Sequence, residues 1–130
     1  MGFYNPYLTY NQIQVETSDQ KKLILMVYDA ATRFCREARQ AITSGNVANK
    51  GVAIQKAYDA IAELRKSLDM QRGQEVAQSL NKLYAFLGHQ LTLANLNNDT
   101  EVLDSVITVL SDLRTTWVEI FEKETEPAVD

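Results

Sequence analysis

Few side chains in this 130-residue sequence could do bond-making chemistry. It contains one histidine, His89, and one cysteine, Cys35. A helical bundle can hold a di-metal centre, but that needs Glu-x-x-His on two helices and further inward glutamates. One histidine cannot supply two such motifs, and Phe86 occupies the position three before it. No Cys/His spacing suits zinc. His89 and Cys35 fall on different predicted helices, with no third group to orient a nucleophile and its base. The five glycines are scattered rather than gathered into a phosphate-cradling loop. No catalytic residue, metal or cofactor is expected, and the chain reads as a non-enzyme. Cys35 reads as a small buried or half-buried residue, and His89 as a surface or groove residue.

The side chains best suited to binding lie at the start. Residues 1–16 crowd Phe3, Tyr4, Tyr7 and Tyr10 into a segment without Lys or Arg. Pro6 suits a first helical turn, so 6–11 could form a short helix with one aromatic face. Such a segment needs an apolar surface to lie on. Two readings stand: a strap packed permanently on the core, or one that a partner displaces.

The elements behind it are helical. Lys22–Ile42 places Leu23, Val27, Ala30, Ala31, Phe34, Ala38, Ala41 and Ile42 at three- and four-residue steps, one face of about six turns. Thr17 with Gln20 fits a capping box and Asp19 suits the dipole of the first turn. Gly45 is the expected stop. After a polar turn, Asn46 to Gly51, a second helix is expected over 52–69, with Ile54, Ala57, Tyr58, Ile61, Leu64 and Leu68 on one face. Met70 to Gly73 reads as a turn. A third helix over 74–97 carries Val76, Leu80, Leu83, Tyr84, Leu87, Leu91 and Ala94. The next loop ends in an Asn98/Glu101 helix start. A fourth helix over 101–122 carries Val102, Val106, Leu110, Leu113, Trp117 and Ile120, with Trp117 read as core. Gly88, inside the third helix, suggests close approach by another backbone.

Short turns between four long helices favour an all-α, antiparallel up-and-down four-helix bundle with a short N-terminal helical strap. One domain spans 1–130, with 1–16 as the strap and 125–130 as a frayed tail. Net charge is −4, which argues against nucleic acid, because phosphate binding needs a basic face. No apolar run approaches the ~20 residues of a membrane span, and the N-terminus lacks a signal-peptide pattern, so a cytoplasmic location is expected. Apolar residues remain in surplus: Ile24, Leu25, Phe86, Leu93, Leu96, Val109 and Val118 exceed the seam of one small bundle. They make either grooves for a partner's helices or the interface of a structural homodimer.

Several blocks together carry a family resemblance. Val15-Glu16-Thr17-Ser18, Leu23 through Phe34 (LILMVYDAATRF), Leu64 through Asp69 (LRKSLD), Leu83-Tyr84, Leu91 through Asn95 (LTLAN) and Asn98-Asp99 follow one another as in the FliS family of flagellin-specific export chaperones, which the chain resembles over nearly its whole length. Asp19 replaces a usual proline, Ala30 and Gln74 usual glycines, and Gln90 a common arginine. The resemblance implies a bundle that wraps the disordered C-terminal segment of flagellin, blocks its premature polymerisation in the cytoplasm and assists type III export. An export gate and a co-chaperone or anti-sigma factor are further partners it allows. Residue by residue, it implies Tyr4, Tyr7 and Tyr10 as strap anchors. Ile24, Leu25 and Tyr28 would line a groove from the first long helix, and Phe86, Leu93 and Leu96 from the third. Ala94, Asn95, Asn98 and Asp99 would hold the following turn or touch the client.

Overall fold

The computed structural model describes residues 17–125. Among them are four α-helices: α1 (Thr17–Ser44), α2 (Val47–Lys66), α3 (Met70–Asn97) and α4 (Thr100–Thr125). Each packs on its chain neighbours, and α4 closes the ring against α1. Side chains fix the antiparallel register of that closure. Lys21 pairs with Glu124 at 2.8 Å, Asp29 with Arg114 at 2.6 Å, and Arg39 with Asp104 at 2.7 Å, running in opposite directions along the two helices.

The core follows the apolar stripes. Val27, Ala31, Ala38, Ile54, Ala57, Ile61, Leu64, Leu87, Leu91, Leu103, Val106 and Leu110 are all buried, as is Cys35. The alanines of α1 and α2 carry little side-chain volume, so these two helices lie close together. Three stripe residues depart from expectation: Val76, Tyr58 and Ile120 are exposed. Val76 lies just past a break in α3, and Tyr58 leans its ring on Gly88. A Cβ at Gly88 would stand 3.0 Å from that ring, so the close approach is by a side chain and not by a backbone.

The turns use two recurring devices. Gly45 adopts φ +73°, with its N–H on Ile42 O and the Asn46 N–H on Ala41 O, a Schellman stop. Asn98, at φ 52°, ends α3 in the same left-handed conformation. Each following helix starts on a side-chain cap. Asn46 accepts from the Asn49 N–H, Asp69 from those of Gln71 and Arg72, and Asp99 from that of Val102. The cap of α4 is therefore Asp99 and not Asn98.

Several boundaries differ from the sequence reading: α2 stops at Lys66 rather than 69, α4 runs to Thr125 rather than 122, and the starts of α2 and α3 move earlier. Helix α2 begins at Val47, because Asn46 caps it and the Lys50 ammonium bonds Asn95 O and Asn98 Oδ1 at the far turn, holding the polar segment helical. Helix α3 begins at Met70, and its break falls at Gln74 (φ 46°, ψ −120°), one residue beyond the glycine expected to turn. The strap of 1–16 and the tail beyond Thr125 lie outside the described residues.

Candidate functional site

A polar side-chain contact crosses the interior of the bundle. The Tyr28 hydroxyl of α1 meets the Tyr84 hydroxyl of α3 across the diagonal of the ring, and Trp117 Nε1–H of α4 donates to the Tyr28 oxygen at 2.9 Å. Burial raises the pKa of Tyr28, reinforced by the neighbouring Tyr84, and burial likewise raises that of Tyr84. Both stay neutral phenols. Burial also pushes the Cys35 thiol up to about 12, which leaves it protonated and unreactive at neutral pH.

Two apolar clefts open from this interior. The first, about 180 Å³, sits at the end of the bundle where α1 begins and α4 ends. Ile24, Leu68, Val76, Leu80, Tyr84 and Trp117 form most of its wall. Trp117 is held there by Tyr28 and by Phe121, whose ring centroid lies 5.5 Å away. The second, about 200 Å³, runs between α3 and α4 and is lined by Phe86, Leu87, Gln90, Val102, Val106 and Val109. Phe86 is 53% exposed at its rim and Leu96, further along α3, is 75% exposed. Among the described residues, no side-chain hydrogen bond or ion pair joins the stretch Leu83–Asn97 to Val102–Leu113. This seam is closed by apolar contact alone.

A family model described as "Flagellar protein FliS" matches residues 3–124. The flagellar secretion chaperone FliS of Bacillus subtilis is 33% identical over 95% of this chain and 92% of its own length. Its namesake in Campylobacter jejuni is 34% identical over 92% of this chain and 93% of its own. That of Vibrio cholerae is 33% identical over 82% and 79%. The chain belongs to the FliS family. Membership places it among flagellar export chaperones.

In this FliS-family chain the expected binding residues separate into groups. Phe86 faces the α3–α4 cleft with Leu93 half-buried two turns on, and Leu96 is open to solvent. Leu25 is half-buried on α1, one turn before Asp29 and its Arg114 partner. Ile24 points instead into the end cleft. Tyr28 lines neither cleft: its exposure is 0%, and its hydroxyl is committed to Tyr84 and Trp117. Ala94 is likewise buried, Asn95 offers its carbonyl to Lys50, and Asn98 and Asp99 cap the α3–α4 turn. Tyr4, Tyr7 and Tyr10 lie outside the described residues. The sequence reading missed Leu68, Leu80 and Trp117 as cleft walls. All three sit in core stripes, and nothing in a helical period distinguishes a stripe that is sealed from one left open at the bundle's end. Among the described residues no helix is long and apolar enough to cross a membrane, and no cluster of His, Cys, Asp and Glu could hold a metal ion.

Proposed function

We propose that this chain is a cytoplasmic, non-enzymatic chaperone that binds the disordered C-terminal segment of flagellin. The segment lies along the α3–α4 seam and continues over the apolar side chains that flank it. The observation that carries this reading is that seam. An apolar cleft with half-exposed Phe86 at its rim, and no polar bond across it, can accept an amphipathic helix without first breaking anything. The client exchanges water for the cleft and orders as it binds, so burial is offset by lost conformational entropy. Binding is then tight enough to block polymerisation and weak enough for release at a type III export gate. In this reading Phe86, Leu93 and Leu96 receive the client from α3 and Leu25 from α1. The aromatic segment with Tyr4, Tyr7 and Tyr10 covers apolar surface until the client displaces it.

Calorimetric titration with a peptide of the flagellin C-terminal region tests the proposal. One-to-one saturation with a negative heat-capacity change is the expected result. No heat, together with self-association on sedimentation, would replace it with the homodimer.

A further inference from the structure

Helix α3 breaks where the end cleft meets solvent. Gln74 holds φ 46° and ψ −120°, backbone angles that cost any residue with a Cβ and that glycine adopts freely. One place earlier, a Cβ at Gly73 would lie 2.5 Å from Ala77 Cβ. In a regular helix Cβ atoms four residues apart are about 5–6 Å from each other, so the break presses the turn Met70–Gly73 onto the body of α3. The two positions act against each other: Gly73 permits the pressed-down turn, and Gln74 strains it.

That turn is bonded to itself. Leu68 N–H donates to Arg65 O, Gly73 N–H to Asp69 O, and the Asp69 side chain accepts from the Gln71 and Arg72 N–H groups. Among the described residues no side-chain hydrogen bond or ion pair joins 68–73 to the rest of the bundle. The bodies of α2 and α3 are tied outside it, Arg65 Nε donating to Asn81 Oδ1 at 2.5 Å. Leu68 packs half-buried on the core, while Met70, Gln71 and Arg72 are exposed. Leu68, Asp69 and Gly73 form one side of the end cleft, and Ile24, Leu80 and Trp117 belong to the rest of its wall.

We propose that residues 68–73 are a lid on the end cleft, hinged at Gln74. Closed, the lid seats Leu68 on the core and carries the strain. Open, Gln74 takes helical angles, α3 runs unbroken from Met70, and Leu80 and Trp117 face water. Strain relief offsets part of the lost Leu68 burial, so the lid opens far more often than the bundle unfolds. A segment that binds the uncovered wall stabilises the open state, which couples occupancy of the cleft to one backbone hinge.

Hydrogen exchange in the full chain tests the lid. Trp117 is the single tryptophan, and its indole N–H is bonded to Tyr28 behind the cleft wall, so one NMR signal reports the opening. The native rate should be independent of low urea, as for an opening that exposes little surface. Gln74→Gly is unstrained in the closed state and a poorer helix former in the open one, so exchange should slow about tenfold. Gln74→Ala keeps the strain and should not slow it. Gly73→Ala should quicken exchange several-fold, because the new Cβ collides with Ala77 only when the lid is closed. Equal rates in the native chain, Gln74→Gly and Gly73→Ala would overturn the lid. So would a native rate that climbs with urea in step with the amides of Leu91 and Leu103, both 0% exposed, since the proton would then leave only on global unfolding.

Discussion

Helix α4 has two flanks, built on opposite principles. Toward α1 it is tied by ion pairs at three levels, Lys21–Glu124, Asp29–Arg114 and Arg39–Asp104, with Trp117 bonded to Tyr28 between them. Toward α3, over Val102–Leu113, it rests on apolar contact without a polar bond among the described residues. Ion pairs at the surface contribute little energy each, yet they fix register and direction. An apolar seam fixes neither, and any apolar helix of suitable shape can compete for it. The molecule thus has a flank that defines the bundle and, in the function proposed above, a flank that takes the guest.

The largest expected difference is kinetic. Cys35 lies on α1 in the row of Tyr28, Thr32 and Arg39, the side that faces α4, and it is buried. Its thiol, held protonated by burial, should react with a disulfide reagent at pH 8 at least about a thousandfold more slowly than in urea, because it reacts only through large openings. Val109→Cys in a Cys35→Ala background should react within about tenfold of the unfolded rate. Equal protection at both positions would break the contrast. The same burial carries a pH signature. The folded thiol titrates near 12 against an ordinary 9.0. Its contribution is therefore complete below pH 9 and is lost as pH rises toward 12. Urea midpoints measured from pH 8 to 11 should fall less steeply in Cys35→Ala than in the native chain.

Phe86→Glu comes next. It places a charge on the rim of the guest flank and should weaken the flagellin peptide at least a hundredfold, about 3 kcal/mol. The thermal midpoint should hold within a degree or two, since the side chain is half exposed already. A collapse of the melt would mean that Phe86 is structural and the seam is not a free surface.

Arg114→Ala acts on the other flank with the reverse signature. Its guanidinium makes two bonds to Asp29, at 2.6 and 3.2 Å, in a partly exposed setting. Loss of about 1 kcal/mol is expected, lowering the midpoint by roughly 4 °C. The difference should shrink in 1 M salt, where screening acts within about 3 Å. Peptide affinity should not change.

How much of this was legible in the sequence depends on distance along the chain. Stripes such as Val27–Ala31–Ala38 and Leu87–Leu91–Ala94 report their own faces, so four helices and their antiparallel order follow from local period and short turns. Gly45 states its stop by residue type. The start of α2 is different, because Asn49, Lys50 and Gly51 look like a loop until Lys50 finds Asn95 and Asn98 across the bundle. The phenol–indole centre was equally hidden: Tyr28, Tyr84 and Trp117 are separated by 56 and 89 residues. Each looks like a groove or core side chain by itself, and the family resemblance places Tyr28 in the groove. Phe86 and Leu96 were legible as surplus because they fall off the stripe of α3. Which neighbour they face is a property of packing and not of period.

The smallest effect concerns how the guest flank begins. Gln74 holds φ 46° and ψ −120° between the first turn of α3 and the rest of that helix. A side chain in this region costs roughly 1–3 kcal/mol, and glycine occupies it without that cost. Gln74 is exposed, so Gln74→Gly removes strain and loses no packing. Glycine also raises the entropy of the unfolded chain, which offsets part of the gain, so a net stabilisation of about 0.5–1 kcal/mol is expected. The midpoint should rise by roughly 2–4 °C, and peptide affinity should remain unchanged if the kink only shapes the end of the bundle. An unchanged midpoint would mean that Gln74 relaxes to ordinary helical angles in solution. Helix α3 would then run unbroken from Met70, and the end cleft, which Gly73 and Val76 help to line, would have a different wall.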